Sequence, residues 1–239
     1  MDRGRLIWAI VRKEYNELAG RWTSFLFPAT LVLLFTLNTT MMARMMISKG
    51  NVAAFRLLSE VVLTNYFIAM FMLCAVPMIP SLFAKESLTG TIEWLLASPL
   101  EPRMIWLGKA AFLFLWSFGF ASIYVVVSST IVHWLAHNVG TGMTLKLPSL
   151  AFILVNPLTC ASFALLLSEI SMISRTKIVA FWAGVAVIGF IAASSTNLRF
   201  AGAPWRGPIA LGMMAIICGL LTLALAPMLT RQRVLLSGK

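Results

Sequence analysis

The sequence predicts an all-α polytopic membrane protein with six transmembrane helices, and three observations predict it. Of 239 residues, 60% are hydrophobic and only 11% charged, with a mean hydropathy of +0.90. A soluble domain carries about 25% charged residues, so this chain lacks the polar surface to stay in water. Its apolar runs are long and apolar on every side. A helical span needs about 20 such residues, whereas a barrel strand alternates over about 10. Helices also pair their own backbone groups, which hydrocarbon requires. The third observation is that the basic residues gather between the runs and sort by side, as set out below.

The first element is an N-terminal interfacial helix over about residues 5–20, with a soluble N-terminal stub as the plainer alternative. Ile7, Ile10, Val11, Glu14 and Leu18 share one mostly apolar helical face, with Arg12, Lys13 and Asn16 directed away from it. Gly20 is placed to close this helix, and Pro28 to open or bend the first span. The basic stretch from Arg3 to Arg21 precedes an apolar run closed by Thr39, Thr40 and Met41, with no small-residue cleavage site. A cleaved signal is therefore not expected.

The spans are expected over residues 25–42, 61–83, 105–135, 150–167, 178–195 and 208–229. They belong to a single transmembrane domain, residues 1–239. The segments between alternate spans, about 43–60, 137–149 and 196–207, are too short to hold a folded domain.

Of the 19 Lys and Arg residues, thirteen fall on one side: Arg3, Arg5, Arg12, Lys13, Arg21, Lys85, Arg103, Lys109, Arg175, Lys177, Arg231, Arg233 and Lys239. Arg44, Lys49, Arg56, Lys146, Arg199 and Arg206 fall on the other. The positive-inside rule then puts both termini in the cytoplasm. Trp22 and Trp106 are expected at the inner interface, and Trp134 and Trp205 at the outer one. The net charge of +11 is thereby assigned to topology and anionic lipid headgroups. No basic face with interleaved aromatics appears, so nucleic acid is not an expected partner. Cys74, Cys160 and Cys218 all lie within apolar runs without a C-x-x-C pair, and read as small buried hydrophobes.

One cytoplasmic segment, residues 83–103, carries more information than the spans. Gly90 suits a helix end, Thr89 or Thr91 a new N-cap, and Glu93 the first turn after it. Pro99 stops that helix, and Pro102 starts the next with Glu101 near its N-terminus. The product is a helix of about two turns over residues 89–99, too short to stand alone in water. Ile92, Leu95 and Leu96 give it an apolar face that needs a groove. It is built either to transmit motion from a cytoplasmic partner or to cap the bundle as an interfacial helix.

Residues 86–99, Glu-Ser-Leu-Thr-Gly-Thr-Ile-Glu-Trp-Leu-Leu-Ala-Ser-Pro, closely resemble the E-x-x-x-G-T-[LI]-E-x-L-L-x-[ST]-P signature of ABC-2 type transporter permeases. Gly108-Lys109 matches that family's G-K at the start of the third span. Lys13-Glu14 and Arg21 resemble its elbow helix, and the six-span plan extends the resemblance over essentially the whole chain.

The resemblance implies that residues 89–99 form a coupling helix docked on a separate ATP-binding subunit. The ATPase-coupling residues would be Glu86, Gly90, Thr91, Ile92, Glu93, Leu95, Leu96 and Pro99, joined by Glu169 and Arg175 of the second cytoplasmic loop. It further implies two ATP-binding subunits, a second permease subunit, identical or homologous, and residence in the plasma (inner) membrane of a prokaryote. ATP and Mg would be bound by the partner, with no cofactor in this chain. Consistent with that division, Gly108-Lys109 is followed by Ala110 and lacks the upstream glycine of a phosphate-cradling loop.

Other residues have ordinary explanations beside their functional ones. His133 and His137 have the spacing of a metal pair, but Trp134 stands where a metalloprotease carries its Glu, and polar interfacial residues are the simpler account. Met41, Met42, Met45 and Met46 suit Cu(I) in principle, and packing or lipid contact more simply. No metal site is expected. Glu60 and Glu169 lie at span ends, where both are expected to reach water or headgroups. Asn65 and Asn156 lie deeper, as a possible substrate path, or beside Pro157 as a partner for the carbonyl that proline frees.

Export of a lipophilic or amphipathic cargo follows from the resemblance, the short outer loops and the sparse polar residues in the spans. A cousin resembling the cytochrome c maturation membrane subunits shares the layout. An intramembrane enzyme would need a nucleophile with a base, or clustered acids and histidines, inside the bundle, and no such cluster appears. A passive channel or scaffold would not explain the braced two-turn helix.

Overall fold

A computed structural model of the chain describes residues 3–20, 22–50, 58, 62, 66–79, 82, 102–138, 147–173 and 206–228. The described residues form helices and no strand: α1 (Arg3–Ala19), α2 (Trp22–Ser48), α3 (Phe67–Ile79), α4 (Pro102–Asn138), α5 (Leu147–Ile173) and α6 (Arg206–Leu225). A single 3-10 turn, Ala226–Met228, follows α6. The segment expected to hold the fifth span, 178–195, and the expected two-turn helix, 89–99, lie outside the described residues.

Four of these helices are long and apolar enough to cross a membrane: Ser24–Ser48, Arg103–Asn138, Ala151–Met172 and Pro208–Leu225. The apolar α3 is shorter, at 13 residues. The described residues are thus all helical, and their four apolar helices of spanning length make this a multi-pass membrane protein. Its surface is inverted relative to a soluble fold. Leu26, Leu33, Leu34 and Leu37 of α2 and Ile209, Met213, Ile216 and Leu220 of α6 are exposed. Thr36, Thr39, Ser128 and Thr159 are buried. Lipid as solvent removes any reason for leucine to turn inward and leaves hydroxyls better off among helices.

The helices extend past the expected span edges. α2 runs from Trp22 to Ser48 instead of stopping near residue 42, and α4 has 37 residues, roughly 55 Å. A hydrocarbon core is about 30 Å thick, so apolarity marks the buried stretch and not the helix end. Pro28 sits inside α2, as Pro77 and Pro157 do in α3 and α5, so Pro28 does not open its helix.

Ring and hydrogen-bond contacts fix the register. Phe25 meets Trp116 and Phe35 meets Tyr124, so α2 and α4 run in the same direction. Phe67 meets Phe118, Phe71 meets Phe114 and Leu82 meets Lys109, so α3 runs against α4. α6 turns Leu211, Ala215, Cys218 and Thr222 inward, one per helical turn, and Thr159 of α5 donates to the Leu211 carbonyl at 3.3 Å. Trp106 is buried among the helices, and its indole N–H donates to the Leu165 carbonyl of α5 at 3.3 Å. Trp134 is exposed. The three cysteines are free and buried.

Candidate functional site

The N-terminal helix carries the predicted face. Val11, Glu14 and Leu18 are buried, while Arg12, Lys13 and Asn16 are exposed. α1 ends at Ala19, with the Gly20 N–H returning to the Asn16 carbonyl at 3.3 Å. This face packs chiefly against the first part of α4.

Gly108 makes that contact possible. A Cβ at this position would lie 2.7 Å from Ile10 Cγ2 and 2.8 Å from Ile10 Cβ. The second atom is the branch point of a stiff side chain, so no rotamer change removes the clash. The next residue, Lys109, is only 2% exposed, and its Nζ lies 3.5 Å from Glu14 Oε1, itself on a residue 5% exposed. Glu14 follows Ile10 by one turn of α1, so the steric and ionic contacts lie side by side. Lys109 Nζ also donates to the main-chain carbonyl of Leu82 at 2.6 Å.

One ammonium therefore holds α1, α4 and the chain just before residue 83. A cation placed this deep is stable only with its partners in place, and removing one leaves an uncompensated buried charge. Lys13 adds an exposed i,i+4 pair to Glu17 at 3.6 Å, which contributes little.

Among the residues expected to couple to an ATPase, Glu86, Gly90, Thr91, Ile92, Glu93, Leu95, Leu96, Pro99 and Arg175 lie outside the described residues, and so does Asn65. Glu169 lies on α5 and is 0% exposed, with no hydrogen-bond partner at either carboxylate oxygen among the described residues. It follows Leu165, the carbonyl acceptor of Trp106, by one turn. It does not reach water or headgroups in this conformation, contrary to expectation, so a partner meets it only after neighbouring side chains move. Asn156 is buried on α5 beside Pro157. His133 and His137 are exposed on α4. No three His, Cys, Asp or Glu side chains converge among the described residues.

Two features escaped the sequence. Lys109 read as a topology charge and as part of the Gly108-Lys109 match, although a lysine seven residues inside a largely apolar helix signals a buried partner. The second is a cavity of about 190 Å³ to which α2 contributes Ser24, Phe27 and Pro28, α3 Cys74, Pro77 and Met78, and α4 Trp116. Comparison with protein-family profiles, curated proteins and solved structures found no match.

Proposed function

We propose that this chain is the membrane-spanning permease subunit of an ATP-driven ABC-2 type transporter. In this proposal it exports a lipophilic or amphipathic cargo by alternating access, with ATP and Mg bound by a separate subunit. Two such ATPases and two permease subunits complete the machine, in a prokaryotic inner membrane with both termini cytoplasmic. The motif over residues 86–99 suggests the family, and the Lys109 clamp is the structural observation that supports it. The loop holding that motif is flanked by Leu82, hydrogen-bonded to Lys109, and by α4, which carries Lys109. Both ends of the loop are thereby tied to one point and to the interfacial helix. A segment framed in this way transmits a push instead of absorbing it. The driving free energy comes from ATP in the partner, because a conformational change requires a ligand that prefers one state.

The test is purification of the tagged chain in mild detergent from its native host, with identification of what stays bound. Co-purification of an ATP-binding subunit, lost in Leu96→Asp, is the expected result. Recovery without any ATPase, where other complexes survive, rejects the proposal in favour of a passive channel, a scaffold or an intramembrane enzyme.

A further inference from the structure

Two histidines stand at the far end of α4, with His133 roughly 36 Å along the helix from Lys109. Between them and the clamp, α4 carries no charged residue from Ala110 to Val132. That stretch is roughly 35 Å long, enough to cross the hydrocarbon, so the histidines fall at its polar edge. Hydropathy ends this span at residue 135, which would leave His137 in the loop beyond. The helix instead continues without a break to Asn138, with His137 in its last turn.

That continuity sets the geometry. Residues four apart lie on one face of a helix, with Cβ atoms about 5–6 Å apart, so both imidazoles rise from the same side. Val132 and Ala136, which directly precede the two histidines, are buried and hold this end of α4 against the bundle. His133 and His137 are both exposed, and neither makes a hydrogen bond or ion pair with a described residue. Their rings are therefore free to turn toward a common point. The helix end itself favours a cation there. Its last four carbonyls lack helical N–H partners, and the partial negative charge they carry is felt within the last turn, where His137 stands.

We propose that His133 and His137 chelate a divalent transition-metal ion of the class that imidazole selects, with Zn2+ as its representative. Imidazole suits Zn, Cu and Ni, whereas Mg2+ and Ca2+ take oxygen ligands. The pair fills two of the four positions of zinc and leaves two for water or a further ligand. Trp134 occupies the position at which a zinc protease carries its catalytic Glu, so the site binds a metal without a general base beside it. The proposal does not depend on an ATPase partner, because both ligands lie on one helix.

The test is calorimetric titration of the full chain, purified in detergent without a histidine tag, with Zn2+ and separately with Mg2+. The expected result is saturable Zn2+ binding and none of Mg2+. His133→Ala and His137→Ala each weaken Zn2+ binding by roughly a hundredfold, because a second linked contact contributes about that much. The decisive variant combines His137→Asn with Asn138→His. It keeps the composition but moves the second ring roughly 140° around the helix from the first, and it binds as weakly as the single variants. His133, His137 and Asn138 are all exposed, so these substitutions leave the fold in place. Absence of saturable Zn2+ binding, equal binding of Mg2+, a loss confined to one histidine, or full affinity in the exchanged variant overturns the proposal.

Discussion

At the scale of single residues, the junction of α1 and α4 depends on a missing side chain and a buried charge. Gly108→Ala places a methyl group 2.8 Å from Ile10 Cβ, so α1 must lift from α4. The expected cost is about 1–3 kcal/mol in unfolding of the purified protein, as for overpacked cores. Ile10→Ala in the same chain should recover part of it, and strict additivity of the two would show that they do not touch. Lys109→Met removes the buried partner of Glu14 and leaves it the longer pair to Lys13 at 4.0 Å, so the expected cost is about 3 kcal/mol, the low end for a broken buried pair. The double variant Glu14→Leu, Lys109→Met should be markedly more stable than Lys109→Met alone, measured by denaturant titration. If the double variant is as unstable as the single one, the ion pair is not what holds Lys109 in place.

Among the helices, pairing rests on hydroxyls set into apolar faces. Thr39 Oγ1 and Tyr124 Oη lie 3.0 Å apart between α2 and α4, both buried, and Thr36 and Ser128 approach to 3.5 Å one turn away. Many of these hydroxyls also return to the carbonyl of the preceding turn, as Thr39 does to Phe35 at 2.8 Å and Thr159 to Val155 at 2.8 Å. That local bond keeps them satisfied when a cross-helix partner is lost. Tyr124→Phe is accordingly expected to cost only about 0.6 kcal/mol, the average for such bonds in membranes. Thermal unfolding in detergent checks this, and a loss of several kcal/mol would show that α2 is held by this one bond.

At the scale of the whole molecule, α4 touches each of α1, α2, α3 and α5, and α6 packs on α5. If the loop over residues 83–101 acts as a lever on α4, Glu93→Lys should abolish coupled transport while leaving the chain inserted and its α1–α4 clamp intact. Transport in inverted vesicles, compared with the amount of inserted protein, measures this. Undiminished transport removes the loop from the coupling path.

Several features were legible because one-dimensional pattern reflects solvent. The helical class follows from long apolar runs that must pair their own backbone. The buried face of α1 follows from the spacing of Val11, Glu14 and Leu18, since a helix brings those positions to one side wherever it docks. Helix ends were less legible: α2 and α4 continue past the hydrocarbon, where hydropathy falls but backbone hydrogen bonding does not. The spacing of α1 showed that Glu14 would face a neighbour and could not show which one. Glu14 and Lys109 are far apart in the chain and meet only because Gly108 lets α1 approach α4. The enclosure of Glu169 and the meeting of Pro28, Pro77 and Trp116 around one cavity were likewise decided by tertiary packing. Sequence determined which face of α1 is buried, because burial there follows a local period, and left the spans apolar on every side. Only the tertiary structure decided which faces meet, because that depends on shape complementarity between segments the sequence keeps apart.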